Sequence, residues 1–308
     1  MAAARGFPKP GVTLYPGRPE ILARPTMTLT IGDMTIRAIT ELQTTGGSRF
    51  VLPQATPDAI QSIPWLIPRF ADERGRLKMA VQSFLIEAGD KKIIVDTGLG
   101  DGKTGRSVPA WNGRRSDFLD RLAAAGFGPD DVDMVVNTHL HVDHVGWNTR
   151  LVDGEWRPTF SKARYVTNRT EFNYWRDQTA DAEARQVFED SVRPVADAGL
   201  YDFVEPGDAV APGITLVSTP GHTIGHMSLM LRDGEAVLGG DILHHPCQLA
   251  HPDWSSTPDY DPRQSAATRR VFFRRLAGTP TVFVAAHAPD GQGGRVVAEG
   301  DGFRLDPA

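Results

Sequence analysis

Met134-Val135-Val136-Asn137-Thr138-His139-Leu140-His141-Val142-Asp143-His144 is the stretch on which the reading of this chain turns. Three apolar residues suited to a buried strand run directly into a cluster of three imidazoles and a carboxylate. Neutral imidazole and carboxylate suit zinc and similar divalent ions. Side chains two apart on an extended segment share a face, so His139 and His141 can point at one ion while Asp143 and His144, on the following turn, point elsewhere. The spacing suggests two ions, not one.

Working outward, three more polar clusters stand just past strand-like runs. Residues 214–217 lead to Ser218-Thr219-Pro220-Gly221-His222, residues 236–238 to Gly239-Gly240-Asp241, and residues 281–284 to His287. Upstream, 28–31 and 34–39 read as a hairpin turning at Gly32-Asp33, and 81–87 and 92–95 as a pair turning at Gly89-Asp90. Ser116 can cap a helix striped by Phe118, Leu119, Leu122 and Ala123 and ended by Gly126. Asp261 and Pro262 open a helix reaching about Leu276 and stopping near Gly278, and the Glu-, Arg- and Ala-rich region 180–193 reads as a helix ended by Pro194. Strands dominate early and then alternate with helices, which predicts β-sheets covered by helices.

The 308 residues, 40% hydrophobic and 23% charged, are ordinary for a soluble protein with a sizeable core. A net charge of -5, with 33 Lys and Arg scattered along the chain, gives no basic field, so nucleic acid is excluded as a partner. No stretch has the apolar length to span a bilayer, and the start lacks the apolar core of a signal peptide. The expectation is therefore a cytoplasmic protein without a membrane partner. A lone Cys247 rules out an internal disulfide and a thiolate cage and reads as a small packed side chain. Residues 1–26, with Pro8, Pro10, Pro16, Pro19 and Pro25, read as an extended arm before a single domain over 27–308. Such an arm can wrap a neighbour in a homodimer, and an unpaired tail explains it equally well. The Pro- and Trp-interrupted connection 44–76 reads either as a pocket wall or as a loop packed on the surface.

As a set, His139, His141, Asp143, His144, His222, Asp241 and His287 resemble, position by position, the ligand pattern of the metallo-β-lactamase superfamily of metallohydrolases, including the Asp-Thr-Gly turn at Asp96. The resemblance covers roughly residues 81–290. It implies an αββα sandwich, two mixed β-sheets flanked by helices, with the site at one edge between the sheets. Carried over, His139, His141 and His222 would hold one metal, Asp143, His144 and His287 the second, and Asp241 would bridge them. Asp96 would orient the ligands, and His226 would be structural. The N/O donor set favours two zinc ions, with manganese, cobalt and iron also compatible. Two such ions sharing a water lower its pKa to about 7, so that hydroxide attacks without a serine or cysteine nucleophile, and Asp143 or Asp241 would move the proton.

His244, His245 and His251 follow the bridging aspartate and are candidates to line the substrate pocket, together with Trp65 and Trp147; Trp111, Trp175 and Trp254 are ambiguous between pocket wall and core. Softer motifs, Val145-Gly146-Trp147-Asn148 and Gly240-Asp241-Ile242-Leu243-His244 among them, look similar to methyl parathion hydrolase and N-acyl homoserine lactone lactonase relatives. What this implies is a hydrolase of small lactones or carboxylic esters. The alternatives are an organophosphate triester hydrolase and an iron-binding redox member of the same fold.

Overall fold

A strand covered on both faces must be apolar on both, and the short central strands of this chain are. The computed structural model describes residues 27–178, 180–291 and 293–307, so the expected arm, residues 1–26, lies outside the described residues. The first sheet is built from β1 (Met27–Ile31), β2 (Met34–Thr45), β3 (Lys78–Ala88), β4 (Lys91–Val95) and β5 (Met134–Val136). After a hairpin of β6 (Thr149–Val152) and β7 (Glu155–Pro158), it continues with β8 (Arg164–Asn168) and β9 (Tyr201–Val204). Pairing is antiparallel as far as β4 and parallel from there on. The second sheet takes β10 (Ala209–Ala211), β11 (Ile214–Ser218), β12 (Met227–Leu231), β13 (Ala236–Leu238), β14 (Val282–Val284), β15 (Gly293–Glu299) and β16 (Gly302–Pro307) in chain order, parallel only between β13 and β14.

The alternation of side chains makes the layers. Ile93, Val95 and Val136 of the first sheet pack with Leu229, Leu238 and Val284 of the second in one buried cluster. Their neighbours Ile94 and Val135 point the other way, onto Phe118 and Leu122 of α2 (Phe118–Ala124), which follows the short α1 (Pro57–Gln61). On the far side, Val237 and Phe283 turn out onto Phe273 and Leu276 of the long helix Pro262–Leu276. The result is the αββα sandwich that the resemblance implies.

Local expectations differ from the structure at several points. β2 runs on to Thr45 because a register shift between Thr40 and Leu42 accommodates Glu41 as an extra residue and pairing with β3 then resumes. α2 begins one residue later than a Ser116 cap requires: Asp117 occupies the cap position, and the Ser116 hydroxyl accepts only from the Phe118 N–H at 3.4 Å. Pro194 does not end its helix. After α3 (Arg169–Asp177), the helical path passes through α4 (Ala182–Val187), a π-turn at Phe188–Val192 and α5 (Arg193–Asp197). Pro194 sits in the first turn of α5, where its missing N–H is no loss. The connection 44–76 buries Leu52, Ile60, Leu66 and Phe70 in the cluster that covers the outer face of the second sheet. After α6 (Cys247–Ala250), the chain closes its helices with α7 (Pro262–Leu276). Among the described residues no helix is long and apolar enough to cross a membrane.

Candidate metal centre

Two turns pressed against each other form the floor of the site. Asp96 follows β4 in the left-handed region, φ 55°, a conformation rare outside glycine that aspartate tolerates better than most. Its carboxylate accepts from the Thr138 N–H at 2.9 Å, the Thr138 hydroxyl at 2.8 Å and His144 Nδ1 at 2.8 Å. The 96–100 turn lies on the 144–148 turn through Gly146 N to Gly98 O at 2.7 Å and Trp147 N to Thr97 O at 2.9 Å. A Cβ on Gly146 would stand 1.9 Å from the Leu99 carbonyl carbon, so this approach requires glycine. Beneath it the bulged Glu41 accepts from Leu99 N at 2.6 Å and Trp147 Nε1 at 3.2 Å. Burial pushes Glu41 up to about 7 against the pull of those bonds.

The seven residues of the expected ligand set converge. His139 Nε2 lies 3.1 Å from His141 Nδ1 and 3.2 Å from His222 Nε2, and the last two are 2.8 Å apart. A tetrahedral ion with 2.0–2.1 Å bonds would hold its nitrogens about 3.3 Å from one another, so this triangle is nearly of coordinating size. Asp241 Oδ2 sits 3.2 Å from His287 Nε2, 3.4 Å from His144 Nε2, 3.4 Å from His222 Nε2 and 3.9 Å from His139 Nε2. It touches both groups. Asp143 completes the second, its oxygens 3.7 Å from His287 Nε2 and 3.8 Å from His144 Nε2.

The opposite edges of these rings are held by hydrogen bonds. Thr138 spends its hydroxyl proton on Asp96 and so accepts from His139 Nδ1 at 3.0 Å. His144 Nδ1 donates to Asp96, His222 Nδ1 to Asp259 Oδ1 at 2.9 Å, and His287 Nδ1 to the Ala80 carbonyl at 2.8 Å. Each bond holds the proton on Nδ1 and turns the Nε2 edge inward, where it offers a lone pair whenever the ring is neutral. His144 Nε2 is buried and makes no hydrogen bond. A buried nitrogen of this kind, among other inward lone pairs and two carboxylates, fits a pair of divalent cations and the N/O donors such ions take.

Charge follows the same division. Burial, reinforced by neighbouring imidazoles, drives His139 and His222 well below the usual histidine range, and burial lowers His141 to about 4. These are neutral rings. Burial also opposes charge on His144 and His287, but there Asp241 and its neighbouring carboxylates prevail, holding His144 well above its ordinary value and His287 at about 9. Asp241 resists the upward push of burial and is held well below its ordinary range by His287, His144 and His244.

His226 accepts from the Asp241 backbone N–H on Nε2 at 2.8 Å and faces the Thr219 carbonyl with Nδ1 at 3.1 Å, so its lone pair is already used in orienting Asp241. His245 is committed as well, Nε2 to the Phe70 carbonyl at 2.9 Å and Nδ1 to Cys247 N at 3.1 Å. His244 is not: Nε2 stands 3.3 Å from Asp241 Oδ2, and Nδ1 is buried without a partner. Trp147 stacks on Phe118, ring centres 5.7 Å apart, with its N–H on Glu41, and is built into the packing beneath α2. Trp65 lines a 450 Å³ cavity with Ser62, Ile63, Pro64, Ala250, His251 and Glu299, none of them in the ligand cluster. His251 stacks on Trp254 at 4.2 Å. Trp175 meets the His141 ring edge-on at 5.2 Å and continues through Tyr174 to the half-exposed Tyr260.

Sequence reasoning missed Asp259 and Glu171. Asp259, 37 residues from His222, orients that ring and is itself fixed by the Ser256 hydroxyl at 2.6 Å. No local pattern announces it, because its partner comes from another loop.

A family model described as the metallo-beta-lactamase superfamily matches residues 77–287. An N-acyl homoserine lactonase of Bacillus thuringiensis is 26% identical over 179 residues, 54% of this chain and 63% of that protein, so the chain spans somewhat under two thirds of that relative's length. The N-acyl homoserine lactonase AttM of Rhizobium radiobacter is 31% identical over 117 residues, 37% of this chain and 41% of that protein. Among solved structures, AidC, described as a dizinc quorum-quenching lactonase in complex with a product, superposes with a TM-score of 0.75 at 21% identity over 92% of this chain and 97% of its own. AbOPH, described as a hydrolase in the beta lactamase superfamily, gives 0.73 at 23% identity over 91% and 96%.

Proposed function

Because the chain belongs to the metallo-β-lactamase superfamily, we propose that it is a hydrolase of lactones and carboxylic esters working with two zinc ions, and that N-acyl homoserine lactones are among its substrates. The observation that carries this reading is the convergence of seven donor side chains, four of whose imidazoles are turned inward by a hydrogen bond on the outer edge. His139, His141 and His222 would hold one ion, Asp143, His144 and His287 the other, and Asp241 both. What two such ions supply is a water ionised at neutral pH and polarisation of the carbonyl under attack.

The chain's own groups do the rest. Asp241, 3% exposed and ringed by imidazoles, is fixed as an anion, whereas Asp143 is 17% exposed and is the carboxylate with access to solvent for taking up or releasing a proton. His244, whose Nε2 stands 3.3 Å from Asp241 Oδ2, borders the donor cluster and would help to fix the bridging carboxylate. Trp175, Tyr174 and Tyr260 make an aromatic wall beside His141 that suits an apolar acyl chain. Residues 27–308 then act as one catalytic domain.

The test is a panel of N-acyl homoserine lactones, simple lactones, aryl esters, phosphotriesters and a β-lactam, assayed with zinc-loaded protein beside His141→Ala. Lactone or ester turnover that His141→Ala abolishes without unfolding the chain is the expected result. Turnover that survives in His141→Ala or in metal-stripped protein contradicts the proposal, as does a panel in which neither lactone nor ester is cleaved.

A further inference from the structure

Asn168-Arg169-Thr170-Glu171 has the form of a helix start in which the third residue of the helix reaches back to the cap. Half of that motif is present: the Asn168 side chain accepts from Thr170 N at 2.8 Å and Glu171 N at 3.2 Å. The Glu171 carboxylate, however, turns away from the cap. Fully buried, it accepts from Leu140 N at 3.2 Å, Gly225 N at 2.8 Å and Trp175 Nε1 at 2.6 Å.

Two of those donors lie on the segments that carry the ligands of one ion. Leu140 stands between His139 and His141 on the loop leaving β5 of the first sheet. Gly225 is three residues past His222 on the loop leaving β11 of the second. Trp175 packs edge-on against the His141 ring, 5.2 Å away. The approach is close enough that a Cβ on Gly225 would meet the Glu171 backbone nitrogen at 2.7 Å.

We propose that Glu171 is a positioning residue for the metal held by His139, His141 and His222: one buried carboxylate fixes the distance between two ligand loops that come from different sheets. This rests on the dinuclear reading above. The three N–H donors use both oxygens, Leu140 and Trp175 on Oε1 and Gly225 on Oε2, and the Thr223 hydroxyl faces the same carboxylate. Glutamine in its place offers one oxygen and turns an NH₂ against a donor, with almost no change in volume.

The test uses the full chain, wild type and Glu171→Gln. Cobalt and zinc are titrated against a chromophoric chelator, the cobalt absorption spectrum is recorded, and the metal-free proteins are melted. His222→Ala serves as the reference for loss of the same ion. In Glu171→Gln, one of the two ions is expected to bind about 10–100-fold more weakly, the range seen when a ligand's supporting partner is removed. The band lost is expected to be the one His222→Ala loses, with the second ion and metal-free melting little changed. Two ions bound with wild-type affinity overturn the inference, and so does equal weakening of both ions together with a fall in metal-free melting. If the wild type binds no pair of ions, the dinuclear reading fails, and this inference with it. Should Glu171→Gln not fold, Trp175→Phe removes one of the three donors: a several-fold loss at the same ion supports the proposal, and an unchanged titration overturns it.

Discussion

Replacing Asp259 by asparagine tests how far the ligand geometry depends on groups that never meet the metal. Asp259 is buried, accepts from His222 Nδ1 at 2.9 Å, and is held by the Ser256 hydroxyl at 2.6 Å and the Ser256 N–H at 3.0 Å. Both oxygens therefore face donors. Asparagine preserves the shape but must turn its NH₂ toward either His222 or Ser256. If toward His222, the imidazole proton loses its acceptor, and the ring rotates or moves the proton to Nε2, the nitrogen that faces His139 and His141. Partners of this kind are worth about 10–100-fold in metal affinity, or about 1.4–2.7 kcal/mol. At a free metal concentration 100 times the wild-type dissociation constant, a bound ion adds about 2.7 kcal/mol to stability, and a thirtyfold weakening leaves about 0.9 kcal/mol. The difference lowers the metal-loaded melting temperature by about 3 °C for a domain of this size, while metal-free melting stays nearly unchanged. Chelator competition and paired melts in the presence and absence of metal measure both quantities. Affinity within twofold of wild type, or an equal loss at both ions, would show that the Asp259 bond does not set the His222 ring.

Two further outcomes follow from groups outside the ligand set. Burial lowers Lys103 from 10.5 to about 7 despite its ion pair with Asp190. The folded chain thus binds fewer protons than the unfolded chain between those values, and stability rises with pH across that window by something on the order of 4 kcal/mol. Denaturant titrations at pH 7 and pH 10 should show that rise in the wild type and lose it in Lys103→Met; parallel pH dependence in the two proteins would refute the assignment. Gly146→Ala drives a Cβ into the Leu99 carbonyl carbon, 1.9 Å away. It should cost about 3 kcal/mol or more by denaturation and loosen metal binding, because the turn that moves carries His144; a stability within 1 kcal/mol of wild type (about fivefold in the folding constant) would show that the turns do not need their close approach.

What could be read in the sequence was local. His139, His141, Asp143 and His144 lie in one turn, and His222, Asp241 and His287 each stand a few residues beyond an apolar run, so period and spacing point at them directly. The layer order follows from the same runs: Ile93, Ile94 and Val95 are apolar on both faces, which only a covered sheet explains. What remained hidden depends on partners far along the chain. Asp259 and Glu171 look like ordinary turn and helix-start residues until loops 37 and 54 residues away arrive beside them. Glu41 lies past the 34–39 run that reads as a strand, and only the bulge that carries β2 onward turns it inward. Pro194 misleads for the opposite reason: proline stops a helix in the interior but not in a first turn, and the π-turn before it resets which turn is first.

Four of the seven clustered donors leave the first sheet at β5, and three leave the second at β11, β13 and β14. Neither layer alone can satisfy a cation, so a bound ion works as a clasp between two halves of the sandwich that meet elsewhere mainly through oily side chains. Prising the layers apart surrenders the coordination bonds along with the contacts. The lifetime of the folded chain in a cell, and its resistance to proteases, would then track the supply of trace metal as closely as its catalytic output does.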